Sequence, residues 1–170
     1  KVLELISDIY VFLVRGTPLI VQIFILYFGL SGIFLIPDFW AASLALALHN
    51  GAYISEILRG TIQGVDKGQM EAGRSLGMTK VLTLRRIILP QAFRRALPPL
   101  GNQFIIGLKD SSLAAFISMN ELFNVATTLG SNNFDEMTYL LIVAIYYLVL
   151  VALLTLIVNR FEKRLAISDR

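Results

Sequence analysis

Apolar and polar positions fall along this chain in long blocks. The plainest block is the last: Thr138 to Val158 is uncharged and mostly apolar, a run of about the twenty residues that span a hydrocarbon core. A second uncharged stretch covers Gly16 to Pro37. Its opening, Arg15-Gly16-Thr17-Pro18, predicts a helix start with Thr17 as N-cap and Pro18 at the first helical position, where its missing N–H costs nothing. Beyond the Pro37-Asp38 break, Phe39 to Arg59 predicts another spanning helix. Asn50-Gly51 inside it would signal a hairpin in a soluble protein; flanked by apolar residues at helical length, it predicts a close-packed or kinked helix. Pro98-Pro99 predicts the start of a further helix reaching Met119. The pattern gives an all-helical, single transmembrane domain over 1–170, with crossings at about 17–36, 39–59, 97–119 and 138–158. Ahead of them, Leu5, Ile6, Ile9, Tyr10 and Leu13, with Glu4 and Asp8 set among them, predict an amphipathic helix over residues 1 to 14.

Composition agrees: 56% of residues are hydrophobic and 16% charged, with mean hydropathy +0.70, against about 45–50% and about 25% in soluble domains. The absence of cysteine excludes disulfides and thiolate metal sites, and the single His49 cannot hold zinc alone. The chain opens on Lys1 with no signal-peptide pattern, so a preceding segment is expected. Charge then orients the helices. No Lys or Arg falls in 16–58 or 110–159, and the short connections near Asp38 and around Glu121, Asp135 and Glu136 are acidic or neutral. By the positive-inside rule, Glu4, Arg74, Arg164, the loop 60–96 and the C-terminal tail face the cytoplasm, and 119–137 lies outside.

The basic loop carries the chemistry. Gly73 to Gly77, GRSLG, fits the G-x-S-x-G pattern of a hydrolase elbow, but no strand precedes it and no histidine follows it, as that motif requires. Nothing fits G-x-x-x-x-G-K-[ST], so no phosphate-binding loop is present. There remains a short helix over roughly Gly68 to Thr79, with Gly73 and Gly77 on one face beside Ala72. Small residues there favour close approach of another surface; the alternative is a basic helix resting on lipid headgroups.

Glu71-Ala72-Gly73, three residues, Gly77, nine residues, Ile87, one residue and Leu89-Pro90 together resemble the EAA motif of ATP-binding cassette (ABC) transporter permeases, with Gly73 in place of the third-position alanine. RGTPLIVQIFILYFGL at 15–30, AYISEILRG at 52–60 and LKDSSLAAFIS at 108–118 resemble the polar amino acid branch of that family, and the likeness covers nearly the whole chain. The resemblance implies five membrane helices in the full protein, the first being absent here, and a cytoplasmic coupling helix seated on an ATP-binding subunit. It implies a dimer of such subunits, a second permease subunit, identical or paralogous, and an external solute-binding protein. ATP and magnesium would be bound by the partner; this chain would bind neither and would not be an enzyme.

Lys109-Asp110-Ser111-Ser112 is the candidate substrate path. Lys109 lies eleven residues beyond Pro98, about 16 Å along a helix and near the middle of a roughly 30 Å core, where ionisable residues usually mark a pathway. An acid, a base and paired hydroxyls suit an amino acid. The alternative is that Lys109 and Asp110 neutralise partners on neighbouring helices, since adjacent helix residues point apart; Ser111, Ser112, Glu121 and Asn50 are supporting candidates. Elsewhere the plainer readings are preferred: a local salt bridge for Glu56 and Arg59, a helix-to-helix hydrogen bond for His49 with Asn50, packing for Tyr53, Tyr146 and Tyr147, and the positive-inside rule for Arg94 and Arg95. A membrane-embedded interaction or scaffold protein without transport would explain the helices and the basic loop, but not the motif spacing.

Overall fold

Helices make up every regular element among the described residues, and eight α-helices follow one another along the chain. The computed structural model describes residues 1–166. The last four residues of the expected cytoplasmic tail, and the side chain of Arg164, lie outside the described residues.

The amphipathic N-terminal segment forms α1 (Val2–Arg15), which buries only Val11 and lies against α3 (Asp38–Gln63). The Tyr10 hydroxyl donates to the Leu48 carbonyl at 2.6 Å, and a Cβ at Gly51 would stand 2.9 Å from that hydroxyl. Asn50-Gly51 thus belongs to a close-packed, unbroken helix. The expected cap at Thr17 is displaced: Thr17 Oγ1 donates back to Leu13, and α2 (Leu19–Phe24) starts one residue after Pro18. Proline restricts its predecessor to extended backbone, and here the chain turns by 103° between α1 and α2.

Three expected spans take a different form. α2 runs into a π-helical turn at Ile25–Gly29 and then stops, so the 17–36 segment is a short helix of roughly 16 Å followed by an irregular connection. Pro98-Pro99 does not open a helix: both lie inside α6 (Leu89–Asp110), which continues as a 3₁₀ segment, Ser111–Ile117. The prolines fit helical φ, and the carbonyls they leave without a donor belong to Arg94 and Arg95, at the exposed end. The 119–137 connection contains α7 (Leu122–Asn133), packed along α8 (Glu136–Ala166). Among the described residues α8 alone is long and apolar enough to cross a membrane unaided, with mean hydropathy 3.0 over Glu136–Lys163.

Small residues let these helices approach. Ala41, Ala42 and Ala45 on α3 are buried with Leu19 and Ile23 of α2 and with Ala114 and Ile117 of the 3₁₀ segment. Gly101 brings α6 onto α8, where an added Cβ would meet Val158 at 2.4 Å. A second apolar cluster, Val65, Ile88 and Ala92 with Ile62, Met70 and Leu84 around it, lies at the opposite end under the basic loop.

Candidate functional site

The basic loop folds into a compact module at one end of the α3–α6 pair. Asp66 caps α4 (Lys67–Ser75) by accepting from Gly68 N at 2.6 Å, as a short acidic side chain does at a helix start. Thr79 in turn caps α5 (Lys80–Thr83). α4 stops earlier than the sequence suggests because Gly77 is left-handed, with φ +79. Met78 N bonds to Gly73 O and Gly77 N to Arg74 O, the paired bonds of a glycine-closed helix terminus. Two expectations are corrected. Gly77 lies beyond the helix and does not share a face with Gly73. Gly73 itself is turned inward, where an added Cβ would meet Thr83 Cγ2 at 2.5 Å and Thr83 Oγ1 at 2.9 Å. The small residue serves the chain's own packing, and the side chains left outward are Glu71, Ala72 and Arg74, with Leu76 81% and Val81 73% exposed.

The rest of the motif holds this module to α6. Ile87 is half-buried beside Ile88 in the cluster under α4, while Leu89 and Pro90 are exposed at the start of α6. A π turn at Leu84–Ile88, in which Leu89 N reaches Leu84 O, immediately precedes Pro90. Proline collides with the carbonyl four residues back in a regular helix, and the wider turn moves that carbonyl away. Arg95 Nη1 donates to Gly64 O at 2.8 Å, and Gln91 Nε2 to Gln69 Oε1 at 3.3 Å, so α3, α4 and α6 are pinned together at this end.

Midway along the same two helices lies an open cavity of about 490 Å³, lined by Leu46, Ala47, Asn50, Gln103, Gly107 and Ser111 among others. Asn50 donates to Leu46 O and accepts from Gln103 Nε2 at 2.9 Å; Gly107 admits the amide, since a Cβ there would be 3.0 Å from Asn50 Oδ1. Gln103, only 6% exposed, went unread in the sequence, although an amide in an apolar stretch is the same signal that drew attention to Asn50. Lys109 to Ser112 diverge, as adjacent helical residues must. Asp110 stands within electrostatic reach of His49, Ser111 faces the cavity, Ser112 Oγ donates to Lys109 O, and Lys109 is exposed. Glu121 is not in this group. Its carboxylate caps α7, accepting from Phe123 N and Asn124 N, and also accepts from the Tyr147 hydroxyl at 3.2 Å, which gives Tyr147 a polar role beyond packing.

A string of polar side chains connects the cavity region to the basic end. His49 Nδ1 lies 3.3 Å from Gln22 Oε1, and its ring stacks obliquely on Tyr53 at 5.0 Å. Arg15 covers the other ring at 5.2 Å and bonds Glu56 at 3.4 Å. Glu56 pairs with Arg59 at 3.0 Å, as the sequence suggests, and Arg59 with Asp8 at 3.2 Å. Asp8, Arg15 and Gln22 enter this network from α1 and α2, a partnership that no local spacing announces. These pairs are part-exposed and fix α1 against α3 more than they stabilise the fold, because solvent-screened pairs contribute about 0–1 kcal/mol.

With this arrangement in place, comparison with known proteins is direct. The sequence profile of the family described as "Binding-protein-dependent transport system inner membrane component" matches residues 1–167. The L-cystine transport system permease protein of Bacillus subtilis (strain 168) is 44% identical over 165 residues, covering 96% of this chain and 70% of that protein. The glutamine transport system permease protein of Escherichia coli (strain K12) is 40% identical over 165 residues, covering 95% and 75%. Among solved structures, an amino acid ABC transporter crystallised with histidines superposes with TM-score 0.91 at 40% identity, over 95% of this chain and 76% of that one.

Proposed function

The chain belongs to the family of binding-protein-dependent transport system inner membrane components, and from that membership we propose that it is the membrane-spanning permease subunit of an ATP-driven importer of polar amino acids. The observation that carries the reading is the double attachment of α3 and α6. They are joined at the basic end by Arg95 to Gly64 and at mid-length by Gln103 to Asn50, some 14 residues or about 21 Å apart along α3. Force applied to the α4 module therefore reaches the cavity through two continuous helices. Glu71, Ala72, Leu76 and Val81 form the face that an ATP-binding subunit grips; Gly73, Gly77, Ile87, Leu89 and Pro90 shape and hold it.

In this reading the chain makes four crossings, with α1 and α2 as one bent crossing unit, and sits in the cytoplasmic membrane with 60–96 inside and 119–137 outside. The substrate path is the α3–α6 cavity. Its amides at Asn50 and Gln103 supply both donors and acceptors for an amino acid's charged ends, and Asp110 and Ser111 lie at its rim; Lys109 and Ser112 are peripheral. Cystine and glutamine, the cargoes in the names of its relatives, support a polar amino acid. Two such subunits pair, ATP and magnesium are held by the ATP-binding partner, and a solute-binding protein delivers cargo from outside. Closure of the motor tips packed helices between two discrete arrangements, as rigid-body transitions do. The test is reconstitution with the ATP-binding subunit in proteoliposomes: ATP-dependent uptake of a polar amino acid is expected, and a complex that assembles but moves none rejects transport in favour of scaffolding.

A further inference from the structure

The same backbone motif closes two helices of this chain, with opposite residues at its key position. At the end of α4 the left-handed residue is Gly77, which adopts positive φ without penalty. At the end of α7 it is Phe134, with φ +55, although Asp135 N bonds to Gly130 O and Phe134 N to Ser131 O in the matching pattern. A bulky residue rarely adopts this conformation, which favours glycine or asparagine, and Asn132 and Asn133 are its immediate neighbours. The Phe134 ring gains nothing from packing in exchange, since the residue is 96% exposed. Met137 beside it is 70% exposed. An aromatic that folding disfavours, and that touches nothing, is held out for a partner.

The setting decides which partner. Phe134 lies four residues before Thr138, where the apolar run of α8 begins, so it stands about 6 Å beyond the hydrocarbon edge on the side opposite the basic loop. It is flanked by Asp135 and Glu136, both exposed, and no Lys or Arg occurs anywhere in 110–159. Anionic headgroups would be repelled by that rim. An apolar knob ringed by carboxylates matches a protein surface with an apolar socket and basic edges.

We propose that the Phe134–Met137 knob is the contact by which this chain receives its external solute-binding protein. The proposal rests on the importer reading above and deepens it by naming where that partner seats. Glycine is the informative substitution: Phe134→Gly removes the ring and relieves the backbone, so it leaves the fold intact or steadier while deleting the contact.

Two experiments decide it. A photo-crosslinking benzoylphenylalanine at position 134, in cells making the complete transporter, is expected to yield an adduct that mass spectrometry identifies as a solute-binding protein, increasing when a transported amino acid is supplied. An adduct to lipid alone, to a second copy of this chain or to its own N-terminal region overturns the assignment. The captured binding protein is then titrated against the reconstituted complex. Phe134→Gly should raise the concentration for half-maximal stimulation of ATP turnover at least tenfold, with basal turnover and thermal midpoint unchanged or higher. A wild-type stimulation curve refutes the knob while leaving the importer reading standing, whereas a wild-type complex that transports no amino acid refutes the importer reading itself.

Discussion

Gly73→Ala makes the motif conform to its common third residue, and the structure says that this should harm the protein. The new Cβ would lie 2.5 Å from Thr83 Cγ2, 2.9 Å from Oγ1 and 3.2 Å from Cβ. Thr83 has little room to yield. It is fully buried, its branched side chain is stiff at χ1 on a helix, and its hydroxyl donates to Thr79 O at 3.0 Å. Overpacking of this kind costs about 1–3 kcal/mol, while replacing glycine by alanine within a helix returns about 1 kcal/mol. The net expectation is a loss of about 1 kcal/mol, confined to the α4–α5 module. Thr83→Ala removes both clashing atoms; it leaves no orphaned carbonyl, because Thr79 O still accepts from Thr83 N, and it costs about 1 kcal/mol as a small cavity. In the double variant the alanine methyl fills that space, so the two changes should couple favourably by about 2 kcal/mol, within the usual range for residues in contact. Hydrogen exchange of the α4 and α5 amides in the assembled complex reads this directly, since each 1.4 kcal/mol is a tenfold change in local opening. Faster exchange in Gly73→Ala, restored by Thr83→Ala, is the expected pattern. Wild-type exchange in Gly73→Ala alone, or strictly additive effects, would refute the packing account.

Gly77 separates two readings of its own: a backbone that needs positive φ predicts that Gly77→Asn keeps more uptake than Gly77→Ala, whereas a docking face that needs small bulk predicts the reverse, and transport assays of the pair decide between them. Gln103→Leu should strand Asn50 Oδ1 without its donor and destabilise the α3–α6 crossing by about 1–3 kcal/mol, seen as a lower thermal midpoint in detergent together with altered substrate affinity; an unchanged midpoint and affinity would remove Gln103 from the path. Glu121→Ala takes away the α7 cap and the Tyr147 partner at once, so a loss of about 1–2 kcal/mol should appear in α7 exchange with substrate affinity unmoved; lost affinity with α7 intact would return Glu121 to the path. Cysteines placed singly at 74 and 131 of this cysteine-free chain report topology: an impermeant reagent on intact cells should label 131 and not 74, and the opposite result reverses the orientation.

What could be read from the sequence depended on the range of the interaction. The apolar run of α8 and the pairing of Glu56 with Arg59 are local, and the sequence states them almost literally. The basic loop was legible as a motif but its geometry was not, because a glycine that ends a helix and a glycine that lies inside one look alike at spacing i, i+4. The distinction between Gly73 and Gly77 is made by Thr83 in one case and by a left-handed φ in the other. Glu121 was misplaced for a related reason: a carboxylate near a membrane segment suggests cargo, yet a helix that begins one residue later offers it free backbone N–H groups first. Pro98-Pro99 misled through a rule applied without its exception, since proline breaks a helix only where the freed carbonyls cannot find water, and Arg94 and Arg95 put theirs at the wet end. The polar string from Asp8 to His49 depends on α1 folding across α3 after a 103° bend, and only the fold brings those residues together. The same reasoning makes Phe134 informative: an aromatic in an apolar chain attracts no notice as a residue type, and it becomes unusual only when backbone and exposure are known together, one disfavouring it and the other giving it nothing to hold.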